Sequence, residues 1–104
     1  MIKNTKNSFK LLLLITSLFL ASFGYSQVGI VKGTVVDEKG VPLMGTTVLV
    51  EGTTNGATTD FDGNYVINIK TQNAVLVFSY VGYITQKITV AEQTEVNVIL
   101  KEDL

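Results

Sequence analysis

From Gln27 onward no stretch of the chain keeps a helical spacing of apolar residues. Short runs rich in Val, Ile, Thr and Tyr are instead cut by Gly, Asn and Asp. Strand-forming runs broken by turn residues roughly every 8–12 positions specify an antiparallel sandwich or barrel. The runs are IVKGTVVD (30–37), TTVLVEG (46–52), NYVINI (64–69), AVLVFSY (74–80), YITQKITV (83–90) and EVNVIL (95–100). Between the first two, EKGVPLMG (38–45) carries two glycines and the chain's single proline, Pro42, which cannot donate to a ladder. TTNGATTD (53–60) contains Asn55-Gly56, a strong turn pair, and is read as a turn.

Alternation assigns the faces. Tyr65, Ile67 and Ile69 lie opposite Val66, Asn68 and Lys70, and Val96, Val98 and Leu100 face away from Glu95 and Asn97. AVLVF is apolar on both faces, which places it centrally. About seven strands in this length close a small two-sheet core of modest stability. The threonine pairs Thr46-Thr47, Thr53-Thr54 and Thr58-Thr59 have no fixed period and are read as β-forming residues on half-exposed surfaces.

The start of the chain differs in kind. Residues 1–10 carry Lys3, Lys6 and Lys10 and no acid, and LLLLITSLFLASF (11–23) follows. Gly24 and Ser26 then set small residues before Gln27. A basic stretch, a short apolar core and a small-x-small end describe a secretory signal peptide, residues 1–26. The apolar run is shorter than the roughly 20 residues of a spanning helix. Residues 27–104 form the expected mature domain, exported and without a transmembrane segment. It holds all nine acids and five of the eight lysines, a net charge of −4.

That mature sequence narrows the chemistry. It has no Arg, His or Cys. An acidic domain without arginine is poorly equipped to hold phosphates, so nucleic acid is not an expected partner. Thiol catalysis, Ser-His and Cys-His pairs, and the usual zinc sites are excluded. No disulfide supports the core, and no lipoprotein cysteine is present.

TTDFDGNY (58–65) is the stretch most open to a reactive reading. Asp60, Asp62 and Asn64 are candidate ligands for a hard cation. Counted from Asp60, however, the glycine comes fourth and Thr71 occupies the position of the bidentate Glu of a helix–loop–helix calcium site. Asp60 and Asp62 as an acid–base pair would need a pocket, which the sequence does not indicate. The competing reading is a turn, with Asp side chains on backbone N–H groups, Gly63 at positive φ, and Phe61 anchoring the turn against the sheet. FSYVGY (78–83) is likewise either an aromatic platform or a core contribution from Phe78 and one tyrosine, with Gly82 allowing a tight turn.

Residues 31–83, VKGTVVDEKGVPLMGTTVLVEGTTNGATTDFDGNYVINI followed by LVFSYVGY, closely resemble the carboxypeptidase-regulatory-like domain. More narrowly, they are similar to its version at the N-terminus of SusC/RagA-type TonB-dependent outer-membrane receptors of Bacteroidota. Three motifs in order carry the resemblance: G-T-V-x-D-x-x-G-x-P-L-x-G, T-D-x-D-G-x-Y and F-S-Y-V-G-Y. It implies an all-β, seven-stranded, transthyretin (prealbumin)-like Greek-key sandwich without catalytic residues or cofactor. It makes Gly33, Asp37, Gly40, Pro42, Gly45, Thr59, Asp60, Asp62, Gly63 and Tyr65, then Tyr80, Val81, Gly82 and Tyr83, fold-defining positions. In that light 58–65 is the corner that starts a strand.

The expected function is therefore a non-catalytic, exported accessory domain of a nutrient-uptake receptor, monomeric, touching a protein partner in the periplasm or outer membrane through an open sheet edge. The receptors continue into a plug and barrel, and this sequence stops at LKEDL (100–104). A severed receptor front end is one expectation. The alternative is a stand-alone secreted or surface module that binds carbohydrate or protein through Tyr80 and Tyr83.

Overall fold

The computed structural model describes residues 29–104; the expected signal peptide, 1–26, lies outside them. Seven strands form two sheets: β1 (Ile30–Val36), β2 (Thr47–Val50), β3 (Gly56–Thr58), β4 (Asn64–Asn68), β5 (Val75–Ser79), β6 (Gln86–Thr89) and β7 (Val98–Ile99). The three-stranded sheet has the order β4-β1-β7, the four-stranded one β3-β2-β5-β6. The chain is thus the seven-stranded all-β sandwich expected, and it crosses between layers after β1, β3, β4 and β6.

The core is built by the alternation read in the sequence. Tyr65, Ile67 and Ile69 are buried from one sheet, with Val31 and Val35 beside them, and Val96, Val98 and Leu100 complete that layer. Leu76 and Phe78 on the central β5 meet them from the other sheet, along with Val48. The rings of Tyr65 and Phe78 pack edge to face, 5.4 Å between centroids, a favoured aromatic geometry. Val75 and Val77, on the other face of β5, are half-buried.

Three local readings are corrected. First, β7 runs parallel to β1, Val35 opposite Val98 and Val36 opposite Ile99, so the sandwich is not wholly antiparallel. Only hairpin neighbours must be antiparallel; β7 arrives from the opposite sheet and is free of that constraint. Second, 53–60 is not simply a turn. Gly56 opens β3, which pairs antiparallel with β2 from Leu49–Gly56 to Thr47–Thr58. The connection lies earlier, closed by Val50 N–H and the Asn55 carbonyl at 2.9 Å, with Gly52 at φ 78°. Third, the run at 83–90 divides. Gln86–Thr89 pairs with β5, whereas Tyr83 bridges Glu102 and Ile84 N–H donates to the Lys101 carbonyl.

Both lateral seams are closed by a side-chain amide. Asn55 Nδ2 donates to the Asn68 carbonyl of β4 at 2.6 Å. On the other side Gln86 Nε2 donates to the Ile99 carbonyl of β7 at 2.7 Å. The second seam is further closed by Asp103 N–H on the Gly82 carbonyl.

Candidate functional site

Most of the motif residues gather at one pole, where β1 ends, β4 begins and the 80–83 turn lies. Two turns there are built alike. Asp37 Oδ1 accepts N–H groups from Lys39 (2.8 Å) and Val41 (2.9 Å). Asp60 Oδ1 accepts them from Asp62 (3.0 Å) and Asn64 (2.9 Å). In each, the aspartate N–H also donates to the carbonyl four residues on, and the glycine N–H donates back to the aspartate carbonyl. Gly40 and Gly63 stand at φ 81° and 77°. This is a three-residue connection closed by a left-handed glycine, with the aspartate side chain pinning its interior. DEKGV and DFDGN encode one device twice, a repetition visible in the sequence as D-x-x-G.

The two turns pack together. Val35 N–H donates to the Gly63 carbonyl at 2.8 Å, and a Cβ on Gly63 would stand 2.6 Å from the Val35 carbonyl oxygen and 3.1 Å from Pro42 Cβ. Pro42 bridges Val36, and Leu43 N–H returns to the Val35 carbonyl. The proline thus floors the second turn while closing the first.

Behind them lies a buried hydroxyl pair that sequence reading placed on half-exposed surface. Thr46 and Thr59 are both buried. Each hydroxyl donates to the Leu43 carbonyl, and Thr59 Oγ1 also accepts Thr46 N–H. Gly45, at φ 83°, donates its N–H to the Thr59 carbonyl. Threonine is equally at home on a strand surface and beneath a turn, so composition did not separate these from the exposed Thr47 and Thr58.

Gly33 and Tyr65 form a further unit, directly opposite each other in the β1–β4 pair. Tyr65 Oη donates to the Val96 carbonyl at 2.5 Å. Burial pushes the phenol pKa up to about 12.

The aromatic stretch is mostly structural. Phe78 is fully buried, and Tyr80 and Tyr83 pack partly buried against the core, their rings 5.6 Å apart and tilted by 41°. Tyr83 N–H closes a turn onto the Tyr80 carbonyl, with Gly82 at φ 85° and Val81 93% exposed at the tip. Tyr83 faces a cleft of about 340 Å³ also lined by Asp37, Leu100 and Glu102. Partial desolvation, then the Glu102 and Asp37 carboxylates, hold its phenol above the usual tyrosine range.

One assignment is overturned. Phe61 is not an anchor: it is 83% exposed, because the turn is already fixed by Asp60 and by the Gly63–Pro42 contact. Asp60, Asp62 and Asn64 are exposed beside it. Among the described residues no three His, Cys, Asp or Glu side chains cluster to hold a metal, and one oxygen of Asp60 is engaged by backbone. The geometry makes this stretch a turn that starts β4.

Residues 31–104 match the CarboxypepD_reg-like domain family, and the chain belongs to it. Among curated proteins it is similar to TonB-dependent receptor P3 of Formosa agariphila, 41% identical over 97% of this chain and 10% of the relative. It is also similar to the TonB-dependent receptor SusC of Bacteroides thetaiotaomicron, 46% identical over 89% of this chain and 9% of the relative. The chain therefore spans about one-tenth of the length of the receptors it matches. A solved type II cohesin–X-dockerin complex from Acetivibrio cellulolyticus, a C-terminal interface mutant, has a chain sharing the fold at a TM-score of 0.57 and 22% identity, covering 68% of this chain and 56% of that one. Among the described residues no helix is long and apolar enough to cross a membrane.

Proposed function

We propose that this chain is a non-catalytic, exported accessory domain of a SusC-like TonB-dependent receptor system, working by protein–protein contact in the periplasm or at the outer membrane. The observation that carries the reading is the 41–46% identity to such receptors over nearly all of the chain. The site geometry agrees with it. Asp37 and Asp60 each engage backbone N–H groups through a carboxylate oxygen, and Thr46 and Thr59 hold the Leu43 carbonyl. Of the three residues that a reactive reading would recruit, Asp60 is engaged in holding its own turn.

The purified chain, incubated with peptide and ester substrates, should give no turnover above buffer. A reproducible turnover that disappears in Asp60→Ala, in protein that still folds, would sink the reading. For the carbohydrate alternative, Tyr80 and Tyr83 are half-buried against the core and do not present a flat platform. Glycan titration should show no saturable binding that Tyr83→Ala removes.

A further inference from the structure

The carboxylates and lysines of the described residues are distributed unequally between the two ends of the sandwich. At the aspartate-turn pole stand Asp37, Glu38, Asp60, Asp62, Glu102 and Asp103, with only Lys39 and Lys101 to offset them. That is a net charge of −4. The remaining length carries Lys32, Lys70 and Lys87 against Glu51, Glu92 and Glu95, a balance of zero, and Lys87 is paired with Glu51 at 2.6 Å. The whole net charge of the described domain therefore sits at one end.

Exposed apolar side chains also stand at that end, although Ile30 and Val66 are exposed elsewhere on β1 and β4. Phe61 and Val81, at turn tips, are 83% and 93% exposed, and Val41 and Met44 are 52% and 53% exposed. Phe61 is the only one of the five described aromatics that is exposed; the others are buried or half-buried. Both tips are held on tightly specified turns, by Asp60 and Gly63 in one case and by the Tyr80–Tyr83 hydrogen bond and Gly82 in the other. An aromatic on a rigid turn requires little backbone ordering on association, which favours its use as an interface anchor. A carboxylate rim around such anchors steers encounter toward positive charge and repels acidic surfaces.

We propose that the aspartate-turn pole is the docking surface of this domain, and that its occupant is a protein face rich in Lys or Arg with apolar pockets for Phe61 and Val81. This rests on the protein-contact reading above and adds to it the surface and the chemistry of the partner. Each seam, by comparison, carries a side-chain amide on a strand carbonyl, from Asn55 on one flank and Gln86 on the other.

The test places photoreactive p-benzoyl-phenylalanine at position 61 or, at the opposite pole, at the exposed position 73, in the full chain produced in the cells that make this protein. Irradiation is followed by sequencing of the crosslinked peptides. Position 61 should capture a protein through a net-basic segment, and position 73 should not. Reversing the exposed rim charges with Glu38→Lys and Asp62→Lys should lower the yield from position 61 roughly tenfold, while an unchanged melting temperature shows that the fold is retained. Capture from position 73 alone, a neutral or acidic captured segment, or a yield indifferent to the charge reversals would overturn the docking surface and leave a protein-contact role standing. No protein captured from either position by folded protein would overturn both.

Discussion

A Cβ atom placed on Gly33 would lie 1.8 Å from the carbonyl oxygen of Val96. That carbonyl is the acceptor of the Tyr65 hydroxyl, and the same Cβ would stand 3.0 Å from the Tyr65 ring. The glycine leaves the space in which the β7 side of the sheet and the tyrosine of β4 meet across β1. Gly33→Ala should therefore displace backbone and not merely a side chain, destabilising the domain by about 3 kcal/mol or more, the upper end of overpacking effects. Denaturant unfolding measures this. A loss below about 0.5 kcal/mol, the usual range of surface changes, would show that the 94–100 segment can move aside freely.

Tyr65→Phe tests the other half of the contact. Without the hydroxyl the Val96 carbonyl loses its partner in a buried setting, at a cost of about 1–3 kcal/mol. The pH dependence has a definite sign. Burial raises the folded-state phenol pKa from 10.0 to about 12, so the fold favours the protonated hydroxyl. This contribution is fully present below pH 10 and is lost as pH rises through 12. The wild type should lose more stability than Tyr65→Phe between those limits, and parallel curves for the two proteins would refute the assignment.

The paired turns allow a comparison in which the motif is its own control. Gly40 and Gly63 have nearly the same positive φ, so alanine at either should pay about 1–2 kcal/mol for the left-handed conformation. Nothing lies within 4 Å of a Cβ on Gly40, whereas Gly63 faces the Val35 carbonyl at 2.6 Å. Gly63→Ala should be clearly the more damaging. Equal losses of stability would mean that the second turn does not bear on the first.

Asp37→Ala and Asp60→Ala each leave two turn N–H groups without their side-chain acceptor. Each should cost about 1 kcal/mol, as helix-capping carboxylates do, and Asp60→Asn should restore most of the loss because an amide oxygen still accepts. Calcium should not change the melting temperature, since a ligand of the folded state would have to raise it. A rise that Asp60→Asn abolishes would return the stretch to the metal-binding reading.

Phe61→Ser should leave stability within about 0.5 kcal/mol of wild type, the usual range of surface substitutions. A larger loss in thermal or denaturant unfolding would restore Phe61 as an anchor.

The sheets were legible because alternation is a strong signal when one face is dry. Tyr65, Ile67 and Ile69 could face only inward while Asn68 and Lys70 faced out, and AVLVF could sit only in the middle. What escaped depended on approach between distant segments. Thr46 and Thr59 are buried because two turns converge over the Leu43 carbonyl, a juxtaposition of residues 13 apart that no local pattern announces. An aromatic such as Phe61 is expected inward by residue type alone, yet its turn is complete without it. The short β3 was hidden by Asn55-Gly56, whose turn signal outweighed three residues of pairing. The parallel β7 followed from a crossover that alternation cannot orient. The repeated D-x-x-G, by contrast, was in plain view and needed only the comparison of one turn with the other.

The amides of Asn55 and Gln86 fasten the sandwich along both flanks, and that has a bearing on how its recognition can change over generations. Where strand edges are available, a binding surface and the frame share the same backbone, so altering one disturbs the other. In the proposed docking surface the turn tips stand apart from the strands. Substitutions at Phe61, Val81, Glu38 or Asp62 would alter the proposed docking surface one position at a time, while Gly33, Gly63 and Tyr65, with the turn-holding Asp37 and Asp60, keep the fold beneath them.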